Sequence, residues 1–339
     1  MTAATPDRTA PRRIDVHAHY MPHGRLVDGP GFPVLSGDDR GGQITIDDRP
    51  FRRVRPSLWD VGRRIADLDE AGVAIQVISP VPVTLGLDGG YLRAQNDALA
   101  TAAAASGDRL LAFGAVPFTD PDAAAGEVTR LATLPGVVGV QVATMPNGLE
   151  LDAPELGPFL TAAEENDLPL FVHPTEQARM VRGRGGPYEF AVGMHADTAA
   201  AAAALVLGGV LERHPRLRVA LAHGCGSLPW TYSRLRYAVT SIAGTHAPEH
   251  LDALLARLWC DTLVFDPQHL ALLAARFGAG HLLLGSDHPF YPSPLGELVG
   301  IAEQAEAAGA LRPEAAVAVA ERNAVEFLGA HRLPVAPRT

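Results

Sequence analysis

Apolar residues along this chain gather into eight short runs separated by longer stretches of helical period. The runs cover 14–17, 73–79, 110–116, 137–143, 168–173, 217–223, 258–262 and 281–286. Between and after them the pattern predicts helices near 59–71, 91–105, 121–132, 154–165, 191–213, 228–238, 267–277 and 295–308. Asp120-Pro121 and Asp266-Pro267 read as helix starts, because a capping carboxylate precedes a proline whose missing N–H costs nothing there. Strands joined by helices of this length form parallel βαβ units. Eight in succession predict a (β/α)8 TIM-type barrel. A doubly wound open sheet ranks second, since no glycine-rich phosphate loop follows the first run.

Two segments break the alternation. Residues 28–56 are rich in Gly, Asp and Arg with short alternating pieces such as Gln43-Ile44-Thr45-Ile46, which predicts a small β-type insertion over the barrel mouth. Residues 312–328 read as one or two closing helices. The expected organisation is a disordered leader over 1–12, a barrel domain over 13–330 and a tail over 331–339.

Composition narrows the function. The 339 residues are 47% hydrophobic, enough for a large core, and carry a formal net charge of −10. Nucleic-acid binding needs a basic face, so that class is excluded. The longest apolar run, 199–211, is alanine-rich and short of the ~20 residues a bilayer requires, so a buried helix is expected and no membrane. Two cysteines, Cys225 and Cys260, are too few for a disulfide framework, and a cytoplasmic location follows. All 28 basic residues are arginine. A lysine Schiff base and a carbamylated lysine bridging two metals are therefore both excluded.

The candidate chemistry sits at the ends of the predicted strands. His17 and His19 alternate on the first strand, so their imidazoles share a face. His173 ends the fifth run, His223 the sixth, and Asp287 follows the eighth. Barrel active sites lie at the C-terminal strand ends, and imidazoles with a carboxylate suit a divalent metal that keeps room for water or a substrate oxygen. Taken singly, His173 and His223 would be ordinary core histidines, and Asp287 could cap a following helix. Together they predict a metal site. His195, within a helix, reads as structural, and His288 as a residue that shapes the pocket. Cys225 reads as packing.

The segments Asp15-Val16-His17-Ala18-His19, Phe171-Val172-His173-Pro174, Ala222-His223-Gly224 and Gly285-Ser286-Asp287-His288-Pro289-Phe290 resemble the amidohydrolase superfamily. With Phe51-Arg52, Leu58-Trp59-Asp60 and Gly139-Val140-Gln141, the chain is more closely similar to the aminocarboxymuconate-semialdehyde decarboxylase branch. The resemblance implies that His17, His19, His173 and Asp287 bind one metal per chain, usually Zn2+, with Mn2+ an alternative. It makes His223 the acid/base residue beside that metal and gives Asp287 a catalytic share. Gln141 or Ala143 stands where many hydrolase relatives carry a strand-four lysine, so the site is expected to be mononuclear. The resemblance also matches Arg52 to a residue that grips a substrate carboxylate, a task suited to a guanidinium. It matches Arg234 to one that reaches a neighbouring subunit's site, which implies a homodimer. The segment 179–188 is expected to be a loop over the mouth, without the tryptophan found there in related decarboxylases.

The implied activity is non-oxidative decarboxylation of a small unsaturated or aromatic carboxylic acid. The same ligand set also serves a mononuclear zinc hydrolase of a lactone or amide. A barrel closed around a structural zinc is a third reading.

Overall fold

The computed structural model describes residues 12–175 and 186–334. The first strand, β1 (Arg13–Tyr20), leads into a four-stranded antiparallel insertion. Its strands are β2 (Gly24–Arg25), β3 (Pro33–Asp38), β4 (Gly41–Ile46) and β5 (Arg49–Val54). The insertion thus begins at Gly24, before residue 28. The barrel continues through β6 (Val73–Pro80), β7 (Leu110–Gly114), β8 (Val137–Ala143), β9 (Leu170–His173), β10 (Val219–Leu221), β11 (Leu258–Asp261) and β12 (Leu282–Leu283). All neighbours in the order β1-β6-β7-β8-β9-β10-β11-β12 are parallel. The ring closes where Val16 N–H donates to Leu284 O at 2.9 Å and His19 N–H to His288 O at 2.8 Å.

Local signals set the helix ends. Asp60 accepts from Arg63 N–H to start Val61–Ala71, and Gly72 ends it at φ 66°, a conformation that favours glycine. The helix expected over 191–213 stops instead at Leu207. Gly208 and Gly209, the latter at φ 73°, separate Met194–Leu207 from the turn Val210–Arg213. Gly300 likewise divides the stretch 295–308 into Leu295–Val299 and Ile301–Ala307. Pro248–Leu255, before β11, is a helix that the apolar pattern did not predict. The run Gly186–Leu207 is long and apolar enough to cross a membrane, yet its Ala201, Ala202, Leu205 and Val206 lie buried in the apolar core. Of the segment 179–188, residues 179–185 lie outside the described residues, as do 1–11 and 335–339.

The interior holds one apolar cluster, including Val77, Phe113, Phe171, Trp259 and Leu283, which Phe327 and Leu328 of the last helix (Asn323–Leu328) join. A second, larger cluster fills the layer between strands and helices.

One irregularity positions the site. On β1, Asp15 pairs with Gln76 and Ala18 with Ile78, so three residues of β1 span two of β6. This bulge exchanges the faces of the strand. Ile14 before it and Val16 at its start join the interior cluster, while His17 within it and His19 beyond it, of the opposite parity, meet His173 with ring centroids 5.0 Å apart.

Candidate metal centre

Three imidazoles are held through Nδ1, which leaves Nε2 pointing into the site. His17 Nδ1 lies 2.6 Å from Asp261 Oδ2, His19 Nδ1 2.8 Å from Pro80 O, and His173 Nδ1 2.6 Å from Pro174 O. These acceptors require the proton on Nδ1, so the Nε2 lone pairs are available to a cation. His223 follows β10 at φ 57° and Asp287 follows β12 at φ 54°, both in the left-handed region. That backbone strain is the kind a functional position retains. Asp287 N–H donates to His17 O at 2.7 Å.

Asp287 is the hub. Its Oδ1 is 2.9 Å from His19 Nε2 and 3.6 Å from His17 Nε2, and its Oδ2 is 3.8 Å from His223 Nε2. One atom each from His17, His173, His223 and Asp287 lie within 4.8 Å of one another. Four imidazoles, not three, therefore crowd one carboxylate. The Nε2 atoms of His17, His19, His173 and His223, with Asp287 Oδ1, are buried and lack hydrogen-bond partners. Five unsatisfied donor-set atoms at one point would be costly unless an ion completed them. The residues fit a divalent metal.

Burial opposes the charge on Asp287, but His17, His19 and His223 outweigh it and hold the carboxyl well below its usual range. Burial holds His19 low. Burial and the surrounding imidazoles hold His173 well below its usual value. For His17, burial is outweighed by Asp287 and Asp261, which push it up. Burial also opposes charge on Asp261, but the hydrogen bond to His17 keeps it low.

The cavity above the cluster measures about 510 Å3 and is lined by His19, His173, His223 and Asp287, by residues 52–54 of β5 and Arg55 just after it, and by Phe190, Phe290 and Tyr291. The insertion thus delivers Arg52 to the same cavity as the cluster. Its guanidinium sits 4.8 Å from the centre of the Phe290 ring, a cation–π contact. Arg234 does not reach this cavity. It is exposed on the helix Leu228–Tyr237.

The remaining candidates separate clearly. His195 stacks on His223, centroids 6.0 Å apart at 20°, so it supports the site rather than lying apart from it. His288 faces away from the metal centre. Its Nε2 is 3.3 Å from Asp67 Oδ2 and its Nδ1 3.3 Å from Arg64, and burial pushes it down to about 4. Cys225 is a buried thiol pushed up by burial. Gln141 is buried, and no described residue pairs with its amide.

Three contributors escaped the sequence analysis. Asp261 orients His17 and also accepts Gly224 N–H at 2.9 Å and Leu263 N–H at 3.1 Å. It lies one residue before the end of the seventh run, where the observed strand β11 ends, so a rule slightly wider than the one that picked His173 would have found it. Arg64, fully buried, donates to Gln76 Oε1 and to His19 O. Nothing in its helical period marks it. Tyr291 Oη is buried at the cavity.

The sequence matches the amidohydrolase family model over residues 14–330. The chain belongs to the amidohydrolase family. It is 31% identical over 305 residues to a 2-amino-3-carboxymuconate-6-semialdehyde decarboxylase of Dictyostelium discoideum, covering 85% of this chain and 83% of that one. Among solved structures, the apo IDCase of Metarhizium anisopliae superposes with a TM-score of 0.78 at 23% identity, covering 94% and 97% of the two chains. A dihydroxybenzoic acid decarboxylase of Polaromonas sp. JS666, solved with bound manganese and 2-nitroresorcinol, gives 0.75 at 22%, covering 95% and 98%.

Proposed function

We propose that this protein is a metal-dependent carboxy-lyase that removes carbon dioxide, without oxidation, from a small aromatic or unsaturated carboxylic acid. The observation that carries the proposal is the convergence of five unsatisfied buried ligand atoms beneath a cavity that also receives Arg52. Similarity to the Dictyostelium decarboxylase over most of both chains favours carbon–carbon cleavage over lactone or amide hydrolysis.

His17, His19, His173 and Asp287 would hold the metal. Three imidazoles and a carboxylate suit zinc, and the manganese in the Polaromonas neighbour makes Mn2+ the alternative. When bound, the ion supplies Lewis-acid charge at the cavity floor. Arg52 holds the substrate carboxylate and the aromatic walls align the ring, which fixes the reacting carbon. His223 then delivers a proton to the carbon that bears the carboxylate. Conjugation at that carbon is lost, the bond to the carboxylate breaks, carbon dioxide leaves, and the released electron pair restores the conjugated system. Asp287, between His19 and His223, keeps the imidazole of His223 oriented for this transfer.

The proposal includes a homodimer in which Arg234 completes the partner's cavity. Its support is the exposed helix Leu228–Tyr237, where Trp230 at 81% and Tyr237 at 62% exposure flank Arg234. A cytoplasmic location is supported by two cysteines that remain free thiols.

The deciding experiment incubates metal-loaded protein with carboxylated dienes and hydroxybenzoates and follows carbon dioxide and new acid groups. Carbon dioxide release supports the proposal. A new acid from a lactone or amide, with no carbon dioxide from any member of the panel, overturns it.

A further inference from the structure

Among the groups lining the cavity, the Tyr291 hydroxyl has no assigned task. The ring is fixed on two sides: Phe265 meets it edge-on at 5.0 Å and Phe190 lies 5.9 Å away. Its Oη is buried beside the Asp287 carboxylate, and among the described residues no hydrogen bond of normal geometry satisfies it. A buried hydroxyl with no partner loses its water without compensation, at a cost of about 1–3 kcal/mol. Such a group is tolerated where a ligand supplies the missing bond. The position says what that ligand atom is. Tyr291 directly follows Phe290, whose ring carries the Arg52 guanidinium, and it shares the cavity with Asp287. The hydroxyl is thus near both Asp287 of the cluster and the charge of Arg52.

We infer that Tyr291 is a specificity-determining residue that hydrogen-bonds an oxygen substituent adjacent to the substrate's carboxylate. The inference rests on the decarboxylase reading above. A phenol both donates and accepts, so it serves a hydroxyl or a carbonyl oxygen at that position. A site built to pair such an oxygen discriminates against the analogue that lacks it, because the protein group is then left buried and unpaired.

The test is Tyr291→Phe, which removes one oxygen and keeps the ring between Phe190 and Phe265. Calorimetric titration of metal-loaded protein with 2-hydroxybenzoate and with benzoate reads binding independently of turnover. The expected result is that the wild type prefers 2-hydroxybenzoate and that the variant loses about tenfold in affinity for it. Benzoate affinity and metal content should change less than about twofold. Equal weakening of both acids would assign Tyr291 to the carboxylate, and unchanged binding of both would leave it a packing residue. Either result overturns the inference while leaving the decarboxylase reading intact. If the wild type binds neither acid, and also releases no carbon dioxide from the wider panel, the reading and the inference fail together.

Discussion

At the scale of single residues, function depends on which ring nitrogen carries a proton. Asp261 decides this for His17. Its Oδ1 accepts two backbone N–H groups and its Oδ2 takes the Nδ1 proton. In Asp261→Asn the amide oxygen stays with Gly224 and Leu263, so the NH2 must face His17 Nδ1. That forces the proton onto Nε2, where the metal needs a lone pair. Metal affinity should fall about 10–100-fold, measured by competition with a coloured chelator. Unchanged affinity would show that Asp261 does not set the tautomer. His223 sits in the same tight cluster as the ligands, so its role has a sharp test. His223→Ala should keep its metal and lose about 10²–10⁴-fold in turnover, the usual contribution of a placed proton donor. If that variant purifies without metal, His223 is itself a ligand.

At the scale of elements, the bulge in β1 and its fastening matter most. Arg64 reaches from the helix Val61–Ala71 to Gln76 on β6 and to His19 O just past the bulge. Burial lowers its guanidinium to about 10, so it remains charged at neutral pH. Arg64→Met keeps the bulk but leaves the His19 carbonyl and the Gln76 amide buried without donors. Stability should drop by about 1–3 kcal/mol for each stranded group, read as a lower midpoint in urea unfolding. A midpoint within error of wild type would mean that water replaces the arginine. A bound metal would be the second fastening, because its proposed ligands come from β1, β9 and the turn after β12. An ion present at a hundred times its dissociation constant adds about 2.7 kcal/mol. For a chain of 339 residues, removing it with a chelator should lower Tm by about 4 °C, with recovery on adding zinc back.

At the scale of the whole molecule, the open question is whether one chain makes a complete site. Arg234 lies outside its own cavity, beside the exposed Trp230 and Tyr237. If it completes a partner's cavity, activity should fall on dilution as dimers dissociate. Arg234→Ala and His223→Ala chains, each inactive alone, should regain activity when mixed, since one of the two cavities then holds both residues. Sizing and circular dichroism check that the variants fold and exchange subunits. Mixed dimers without recovered activity would confine Arg234 to the surface.

The sequence by itself determined the architecture, because a buried parallel strand is a local event. Eight short apolar runs, each followed by a helical period, left little freedom, and all eight strands lie where that pattern put them. It also marked His17, His19, His173, His223 and Asp287, since a polar, ligand-type residue at the end of an apolar run is visible without knowing its neighbours. The breaks at Gly208–Gly209 and Gly300 were hidden because the apolar pattern runs straight through them. Only the tertiary structure decided how the marked residues meet. The bulge that turns His17 and His19 inward depends on β1 pairing with β6, some sixty residues later in the chain. The partnership of His17 with Asp261 spans 244 positions. The burial of Arg64 and of the Tyr291 hydroxyl follows from which elements pack over them, and no local pattern records that. Ligand identity is written in residue type and spacing; tautomer, charge and unsatisfied hydrogen bonds arise only when distant segments remove one another's water.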